Sequence, residues 1–496
     1  MKRGGEGFLL LTLCAACVGH PASRAARTGP PLAPDNVVEA WLTTGDRTNL
    51  LARQTDLRLT TIAGDTAAST IKAGAAPGQA IATIVVNEDS TFQEMVGFGA
   101  SITDASAWLI QTRMSATQRE ALLQDLFGRT TGIGLSFARL TIGASDFSRS
   151  HYSFDDMPKG VRDDSLAHFS IAPNRDAVLP VVKRALAINP ALSIMASPWS
   201  APGWMKDTDA LIKGTLRPDA FPAFAEYLRR YIAAYATEGV PVFAITVQNE
   251  PHFEPDDYPG MRLTPPQRAN FLAHHLGPLF ARHNVPTQIL DWDHNWDEPA
   301  SPLQVLADTS ARRYVSGVAW HCYAGDVSAQ SQVRLAHPDK DVYFTECSGG
   351  AWASKWSDNL TWYVRTLVVG ATRAWARGVL LWNLALDEKH GPHLGGCSDC
   401  RGVVTINSVT GDVTRNEEYY ALAHASRFVR PRARRIASTS GIEGLESVAF
   451  RNADDGSKVL LVVNVAGGQR PMIVRAGDRS FPFVLPAGAV VTFRWE

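Results

Sequence analysis

Eight short apolar runs, each ending in polar or aromatic residues, alternate with helical patterns from about residue 94 onward. Connecting stretches such as Ala220–Glu238 and Asp358–Arg377 carry apolar residues at the i, i+3, i+4 spacing of amphipathic helices. Near-continuous apolar strands that alternate with helices form a parallel sheet covered on its outer face. Eight such units predict a (β/α)8 TIM barrel, with a doubly wound open sheet as the alternative. The eight runs are Met95–Ile102, Ser136–Gly143, Leu192–Trp199, Val242–Glu250, Gln288–His294, Val318–Tyr323, Val342–Glu346 and Val379–Leu386.

The two flanks of this region have a different character. Residues 35–93 and 415–496 are rich in Val, Thr and Gly and show short alternations, as in Lys458–Val465. Short alternating runs are typical of half-buried β-strands. Neither flank is long enough for a β-sandwich alone, so we expect both to form one side β-sandwich next to a catalytic barrel at 94–414.

The N-terminus has the pattern of an export signal. Lys2 and Arg3 precede the apolar stretch Gly7–Gly19, which is too short to span a bilayer. We therefore predict a signal peptide over residues 1–25, with cleavage after Ala22 or Ala25, and an exported protein, secreted or periplasmic.

Lipidation is the alternative outcome of export. Cys17 follows Ala15-Ala16, which is similar to a lipoprotein cleavage box, although Cys14 stands where Leu is usual. A lipid anchor through Cys17 stays open on this pattern.

Four cysteines lie beyond the signal. Cys397 and Cys400 stand in a Gly-rich loop (GGCSDC), which favours a local disulfide over a redox motif, because a redox CxxC opens a helix after a strand. A zinc knuckle needs a second pair of suitable spacing. Cys322 and Cys347 fall near adjacent strand ends, where a disulfide is conceivable but strand geometry disfavours it.

Charge and composition narrow the function. The chain has 48 Lys+Arg and 49 Asp+Glu, a formal charge of −1, which argues against nucleic-acid or membrane-surface binding through global charge. Thirteen Trp is a rich supply for this length, and flat Trp faces often line sugar sites.

Two glutamates stand at strand ends. Glu250 ends the fourth run and Glu346 ends the seventh. The active site of a barrel is built at the C-terminal ends of its strands, so the two side chains are expected to face each other across the mouth. Paired carboxylates that flank one bond are what glycoside hydrolysis requires.

Several ordered motifs narrow this further. The chain resembles glycoside hydrolase family 30 of clan A, which contains lysosomal glucosylceramidase and microbial endo-β-1,6-glucanases. The resemblance spans roughly residues 90–430, and the flanks match the family's side β-sandwich. It rests on Asn249-Glu250-Pro251, GFGASITDA from Gly97, Ala138-Arg139-Leu140, SDFS from Ser145, SPWSAPGWMK from Ser197 and WNLAL from Trp382.

The resemblance implies retention of anomeric configuration by double displacement. Glu250 would be the general acid/base and would stay protonated, and Glu346 would be the nucleophile and would stay ionised. Their carboxyl groups would lie ~5–5.5 Å apart. Arg139, at the end of the second strand, is placed to hold Glu346, since Arg can hold a carboxylate by two hydrogen bonds. Tyr323, two residues beyond His321, is a further donor to Glu346.

The resemblance also implies the residues that bind sugar. Asn249 would bind the 2-hydroxyl group, an interaction that strengthens in the transition state. Asp146, Trp199 and Trp382 would hold the outer hydroxyls of a terminal glucose, and His321 would contribute from the sixth strand.

Two departures bear on the substrate. His321-Cys322-Tyr323 has Cys where glucosylceramidase has Trp, and the loop 390–406 resembles microbial members more. This favours an endo-β-1,6-glucanase over a sphingolipid enzyme, so the expected substrate is β-glucan, glucosylceramide or another β-glycoside. β-Xylosidase, β-fucosidase and xylanase specificities stay open, because loops determine the substrate.

Two other classes compete with this interpretation. A metal-dependent barrel hydrolase would use His294, His321, His390 and His393, but no strand end shows His-x-His. A non-catalytic sugar-binding barrel would not need both glutamates and Arg139. We expect no metal, no organic cofactor and no nucleic-acid partner.

Overall fold

The computed structural model describes residues 36–61 and 80–496. The predicted signal peptide at 1–25 and the predicted anchor Cys17 lie outside these residues. Within the described ranges, no helix is both long enough and apolar enough to cross a bilayer.

Eight parallel strands close into a barrel in sequence order. Each strand coincides with one predicted run, which confirms the TIM barrel and excludes the open sheet. The strands are β1 Gly97–Ser101, β2 Phe137–Ile142, β3 Ser193–Pro198, β4 Ala244–Thr246, β5 Gln288–Asn295, β6 Gly317–His321, β7 Asp341–Glu346 and β8 Ala376–Asn383.

The interior of the barrel is filled by side chains. Phe137, Met195, Leu290 and Tyr343 form one buried cluster with smaller residues, and the rings of Phe137 and Tyr343 lie 6.2 Å apart. The barrel is therefore a packed core, and a ligand can enter only from the loops at its rim.

Helices connect the barrel strands, as their apolar spacing predicts. Phe221–Thr237 begins with Pro222 in its first turn, where the missing N–H costs nothing, and buries its aromatic face. The remaining α-helices are Asp104–Thr112, Ala116–Phe127, Val178–Ile188, Pro265–Phe271, Gly277–His283, Ala300–Ala307, Thr309–Arg312, Ala329–Ala336, Trp356–Trp362, Ala371–Arg373 and Glu417–Ser426; π-helical turns span Leu272–Leu276 and Tyr363–Gly370, and 3₁₀ turns span Ala172–Asn174, Gly203–Met205 and Pro218–Ala220.

The two flanks build one side domain, as predicted. Its strands form a continuous hydrogen-bonded ladder in which Ala82–Glu94 pairs with two C-terminal strands. The ladder folds over itself, since Phe481 contacts Phe493 at 5.0 Å although several strands separate them in ladder order. Its strands are Val37–Thr43, Ala52–Arg53, Leu57–Arg58, Thr60–Thr61, Ala82–Glu94, Arg434–Ser438, Leu445–Arg451, Lys458–Asn464, Arg470–Ala476, Arg479–Leu485 and Val490–Trp495.

Two small sheets stand over the C-terminal end of the barrel. One pairs Gly349–Gly350 with Cys400–Arg401. The other joins Ala385–Asp387, Val404–Ile406 and Val413–Arg415. Both follow directly from β7 and β8, so they shape one side of the rim.

A disulfide joins Cys322 to Cys347, and the expectation that strand geometry disfavours it is wrong. The pairing of β6 with β7 shifts by one residue after Trp320, so His321 lies opposite Glu346. The residue that follows His321 and the residue that follows Glu346 are both cysteines. The Cα atoms of Cys322 and Cys347 are 5.4 Å apart, within the range that a disulfide spans.

Candidate active site

A cavity of about 710 Å³ opens at the C-terminal ends of the strands. Arg139 and His321 are fully buried next to it. The cavity is lined by seven of the predicted site residues, Asp146, Trp199, Asn249, Glu250, Tyr323, Glu346 and Trp382.

Glu250 and Glu346 face the same histidine. His321 Nδ1 lies 3.1 Å from Glu250 Oε1 and 3.9 Å from Glu346 Oε1. The two oxygens are therefore no farther apart than the sum of these distances. This limit accommodates the ~5–5.5 Å separation expected of retaining enzymes, which stays a prediction.

Glu346 is held by two donors. Arg139 Nη1 donates to its Oε2, and the Tyr323 hydroxyl donates to its Oε1 at 2.9 Å. The sequence suggested that Arg139 would hold Glu346 by two hydrogen bonds, but only one of its nitrogens donates to Glu346. Its Nη2 donates instead to Asn249 Oδ1 at 2.7 Å and to Asp293 Oδ2 at 2.8 Å.

Asp293, which sequence reasoning missed, is the hub of the site. Its side chain is fully buried. It accepts hydrogen bonds at 2.7–3.0 Å from one residue on each of five strands, namely Arg139, Ser197, Thr246, His321 and Thr345.

A β-bulge turns Asp293 into the barrel. The pairing of β5 with β6 shifts between Trp292 and His294, and Trp292 and Asp293 have left-handed φ angles of 77° and 57°. In the sequence, the position of Asp293 at the centre of the site is signalled only by the polar residues that end β5, DWDHN.

Glu250 adopts an unusual backbone conformation. Its φ is 48°, in the left-handed region that is uncommon for residues other than glycine, and its N–H donates to the carbonyl of Asp293 at 3.0 Å. The polar hub thus also anchors the turn that carries Glu250.

The hub is electrostatically polarised. Burial raises the pKa of Asp293, but Arg139 and His321 outweigh it and leave that pKa well below its ordinary value. Burial lowers the pKa of His321, whereas Glu346, Asp293 and Glu250 raise it, and the result is a pKa of about 9. Arg139 and His321 are therefore two buried cations among carboxylates.

Glu250 differs from the expectation that it stays protonated. Burial, the largest influence, raises the pKa of its carboxyl, but His294 and His321 outweigh burial and lower that pKa below its usual range. These opposite directions favour His321 over Glu250 as the holder of the proton between them.

Two tryptophans form one wall of the cavity. The rings of Trp199 and Trp382 stack with centroids 5.0 Å apart, and the Arg139 guanidinium lies 4.7 Å from the Trp199 centroid. Stacked rings over a buried cation are held rigidly, which suits a surface for sugar C–H groups.

Asp146 lies beside these rings. Burial, followed by the charge of Glu346, raises the pKa of Asp146 well above its ordinary value. A Cβ at Gly396, whose φ is 67°, would lie 2.5 Å from Asp146 Cβ. Only glycine therefore allows the Cys397 loop to close over Asp146.

Cys397 and Cys400 form the local disulfide that their spacing suggested. Both line the cavity. The loop that they close is thus a wall of the site.

An aromatic rim, which sequence reasoning did not single out, completes the cavity. Phe253 and Trp352 line the opening with exposed fractions of 47% and 59%. Tyr258 also lines the cavity, and it packs against the cluster that contains Trp199 and Trp382. Each follows one of the two glutamates by three to eight positions, so the sequence signal is aromatic residues in the loops after β4 and β7.

The four histidines of the metal alternative separate into two groups. His294 and His321 lie with Glu250 in a group whose ligand atoms are within 4.8 Å of one another, the only such group found in residues 36–61 and 80–496. His390 and His393 instead contact the carbonyls of Cys400 and Gly395 in the rim loop.

The fold and the site together define a class of protein. Two carboxylates lie at the C-terminal mouth of an eight-stranded parallel barrel; both lie near His321, and one of them, Glu346, also binds Arg139. This arrangement is that of a barrel glycoside hydrolase. The glycosyl hydrolase family 30 TIM-barrel domain matches residues 95–429, and the family's beta sandwich domain matches residues 433–493. The chain belongs to glycoside hydrolase family 30.

Relatives of the chain include endo-1,6-β-glucanases and a glucosylceramidase. An endo-1,6-beta-D-glucanase of Neurospora crassa is 35% identical over 399 residues, which cover 77% of this chain and 81% of the relative. The lysosomal acid glucosylceramidase of Mus musculus is 29% identical and covers 83% of each chain. The solved structure of the endo-beta1,6-glucanase BT3312 superposes with a TM-score of 0.83 at 31% identity, covering 92% of this chain and 99% of that one.

Proposed function

We propose that this protein cleaves β-glucosidic bonds with retention of configuration, with Glu346 as the nucleophile and Glu250 as the general acid/base. The observation that carries the proposal is the position of both carboxylates within 4 Å of His321 Nδ1, with Arg139 and Tyr323 on Glu346 alone. The two carboxyl groups thus have different surroundings, which is how one pair divides the two roles.

The reaction has two steps. Glu346 attacks the anomeric carbon and forms a glycosyl ester, while Glu250 gives its proton to the oxygen of the breaking glycosidic bond. Glu250 then takes a proton from water, whose oxygen attacks the same carbon. The sugar leaves and the Glu346 carboxylate is restored.

His321 supplies the proton that Glu250 needs. When a bound substrate excludes water from Glu250, the proton moves from His321 Nδ1 to Glu250 Oε1 along their 3.1 Å hydrogen bond. His321 becomes neutral and keeps its Nε2–H on Asp293, 3.0 Å away. The pair therefore stores one proton for the first step.

Three further residues prepare the site for the reacting sugar ring, namely Arg139, Asn249 and Tyr323. Arg139 occupies the Oδ1 atom of Asn249, which leaves the Asn249 amide N–H groups for a sugar hydroxyl. Arg139 and the Tyr323 hydroxyl orient the Glu346 carboxylate for attack. Preorganised donors of this kind lower the barrier because they need not reorganise during the reaction.

The outer hydroxyls of the same sugar reach Trp199, Asp146 and Trp382. These side chains line the cavity on the side of the Cys397 loop. Hydroxyl groups that donate to Asp146 would favour its charged form, which burial opposes in the free protein.

The substrate that we favour is β-1,6-glucan, cleaved within the chain. The Neurospora crassa relative and BT3312 are endo-1,6-β-glucanases, and both are more than 30% identical to this chain. Phe253 and Trp352 offer stacking surfaces beyond the catalytic pair, which an extended polysaccharide uses and a single sugar does not.

Glucosylceramide is the second candidate substrate. The same exposed Phe253 and Trp352 rings at the rim would suit an apolar lipid portion. The lower identity of the Mus musculus glucosylceramidase, 29%, places this candidate second.

We also propose that the protein is exported. Lys2, Arg3 and the apolar stretch Gly7–Gly19 support this, and so do the two disulfides, because disulfides persist in oxidising compartments.

Product chromatography tests the proposal. Purified protein is incubated with β-1,6-glucan and with glucosylceramide in parallel, beside the Glu346→Ala variant. We expect a ladder of oligosaccharides from the glucan, little glucose from the lipid and no product from the variant.

Glu443→Ala is the matched control, because Glu443 is an exposed glutamate in the side domain. It should give the wild-type ladder. Glucose and ceramide with untouched glucan would transfer the assignment to the second candidate, and wild-type turnover by Glu346→Ala would refute the proposed nucleophile.

A further inference from the structure

We propose that Glu250, His294 and His321 form a binding site for Zn²⁺, and that zinc bound there inhibits the enzyme. Each of the three residues offers one ligand atom, and these atoms all lie within 4.8 Å of one another. Imidazole nitrogen and carboxylate oxygen are ligands that zinc prefers. The proposed site is separate in chemistry from hydrolysis, in which no step requires a metal.

The ligand spacing fits a tetrahedral zinc ion. Zinc bonds of about 2.0–2.2 Å place neighbouring ligand atoms roughly 3.3 Å apart. Glu250 Oε1 lies 3.1 Å from His321 Nδ1 and 3.6 Å from His294 Nδ1. All three ligand atoms lie within 4.8 Å of one another, so small side-chain movements complete the geometry.

His294 supports a ligand role independently. Its Nδ1 atom is buried and makes no hydrogen bond within 3.5 Å among the described residues, because Glu250 Oε1 lies 3.6 Å away. The residue is 9% exposed, and it lines the cavity. A buried nitrogen without a partner is costly, and a cation would satisfy its lone pair.

Asp293 already orients His321 as a metal ligand. Its Oδ1 atom lies 3.0 Å from His321 Nε2, so Nδ1 is the nitrogen that faces Glu250. A carboxylate behind a histidine is the arrangement that fixes ring orientation at zinc sites. Once zinc has displaced the proton of His321, the three carboxylates Glu250, Asp293 and Glu346 face only the guanidinium of Arg139, which favours a divalent cation there.

The inhibition half of the inference rests on the proposed function. Zinc at this point would take the place of the proton between His321 and Glu250, so Glu250 could not protonate the leaving oxygen. The fourth zinc position faces the cavity and would hold water in the space that the substrate needs.

Zinc titration by calorimetry tests the binding half without any activity. The full-length protein should bind one Zn²⁺ at this site, and His294→Gln should weaken that binding at least tenfold. His283→Gln, an exposed histidine, is the control and should bind as the wild type does. Equal affinity in wild type and His294→Gln would overturn the site.

A second variant and an absorption spectrum distinguish the loss of a zinc ligand from misfolding of His294→Gln. Glu250→Gln removes a different ligand and should also weaken binding at least tenfold. Co²⁺ in place of Zn²⁺ should give the visible absorption of a four-coordinate ion in wild type, and this absorption should be lost in both variants. Its persistence in both would contradict the assignment.

Activity with and without zinc tests the inhibition half. The ratio of the two rates is compared within each protein, so altered basal activity does not matter. Wild type should lose most activity and regain it with EDTA, whereas His294→Gln should need at least tenfold more zinc. Site-specific binding without inhibition would overturn this half, and an inactive wild type would refute the proposed function while leaving the binding result intact.

Discussion

Asp293 shows how one residue holds this site together. It fixes Arg139, which holds Glu346, and it fixes His321, which contacts Glu250. Glu250 and Glu346 are thus both positioned through one carboxylate that is fully buried and does not line the cavity.

Replacing Asp293 should therefore damage both folding and catalysis. Asp293→Asn keeps the shape but removes the charge opposite Arg139 and His321, and breaking a buried ion pair costs ~3–5 kcal/mol. We expect the free energy of unfolding to fall by about this amount in urea denaturation, and kcat on β-1,6-glucan to fall at least ~100-fold, since misplaced catalytic groups lose rate steeply.

Asp297→Asn is the control for this change, because Asp297 is exposed two residues beyond β5. Surface changes of this kind stay within ~0.5 kcal/mol. A wild-type denaturation midpoint for Asp293→Asn would show that the hub is not structural.

At this scale the sequence predicts some residues and not others. Glu250 and Glu346 could be found because each ends an apolar run of the sequence, although Glu250 lies in the turn after β4 and not on the strand itself. Asp293 could not, because its inward direction depends on a bulge and two left-handed residues in β5. The protonation of Glu250 could not either, since it depends on His294, which lies on another strand.

At the scale of elements, the Cys322–Cys347 disulfide joins the ends of β6 and β7. Cys322 stands between His321 and Tyr323, and Cys347 directly follows Glu346. The bond therefore ties the strand end that carries Glu346 to the one that carries Tyr323, which donates to Glu346.

Removing this bond should destabilise the protein and loosen Glu346. The sequence separation is 25, for which chain entropy gives about 3.5 kcal/mol. In urea denaturation, we expect the free energy of unfolding of Cys322→Ala/Cys347→Ala to fall by about this amount. We also expect kcat to fall by a larger factor than the factor by which KM rises.

The matched control is Cys397→Ala/Cys400→Ala, whose sequence separation of 3 gives only about 1.5 kcal/mol. A larger loss for this pair than for Cys322 and Cys347 would contradict the account.

Elements differ in how well the sequence predicts them. The eight barrel strands could be predicted, because a strand covered on both faces is apolar throughout its length. The Gly349–Gly350 pairing with Cys400–Arg401 could not, since two-residue strands carry no periodicity. The disulfide was missed because it depends on a one-residue shift between β6 and β7.

At the scale of the whole molecule, His424 joins the barrel region to the side domain. It lies on Glu417–Ser426, and its ring nitrogens contact Thr43 and Thr492 at 2.8 and 2.9 Å. These threonines come from the first and last strands of the side domain, so the helix binds both ends of the described chain.

Acid should weaken this junction. Burial lowers the pKa of His424 from 6.5 to about 3, so the unfolded chain takes up its proton at a higher pH than the folded protein does. Stability from this group is full above pH ~6.5 and is lost as the pH falls toward 3. Between pH 7 and pH 5 the loss is ~2 kcal/mol.

Urea denaturation at both pH values measures this loss. His424→Gln keeps hydrogen-bonding groups but cannot take up a proton, so it should lose ~2 kcal/mol less than wild type between pH 7 and pH 5. His283→Gln, an exposed control, should lose as much as wild type. Equal losses in wild type and His424→Gln would contradict the role of His424.

The split side domain could be predicted because each flank alone is too short for a sandwich. How the two parts contact the barrel could not, because His424 meets Thr43 across 381 residues of sequence. Nothing in the local pattern around either residue indicates that distant contact.

The most direct test of the account is to trap the intermediate on Glu346. A glucoside with fluorine at C2 and an activated leaving group should inactivate the wild type by forming a stable glycosyl ester. Peptide mass spectrometry should then find one fluoroglucosyl group on Glu346 and none in Glu346→Ala. An adduct on Glu250 or any other residue, or products of inverted configuration by NMR, would contradict the central claim.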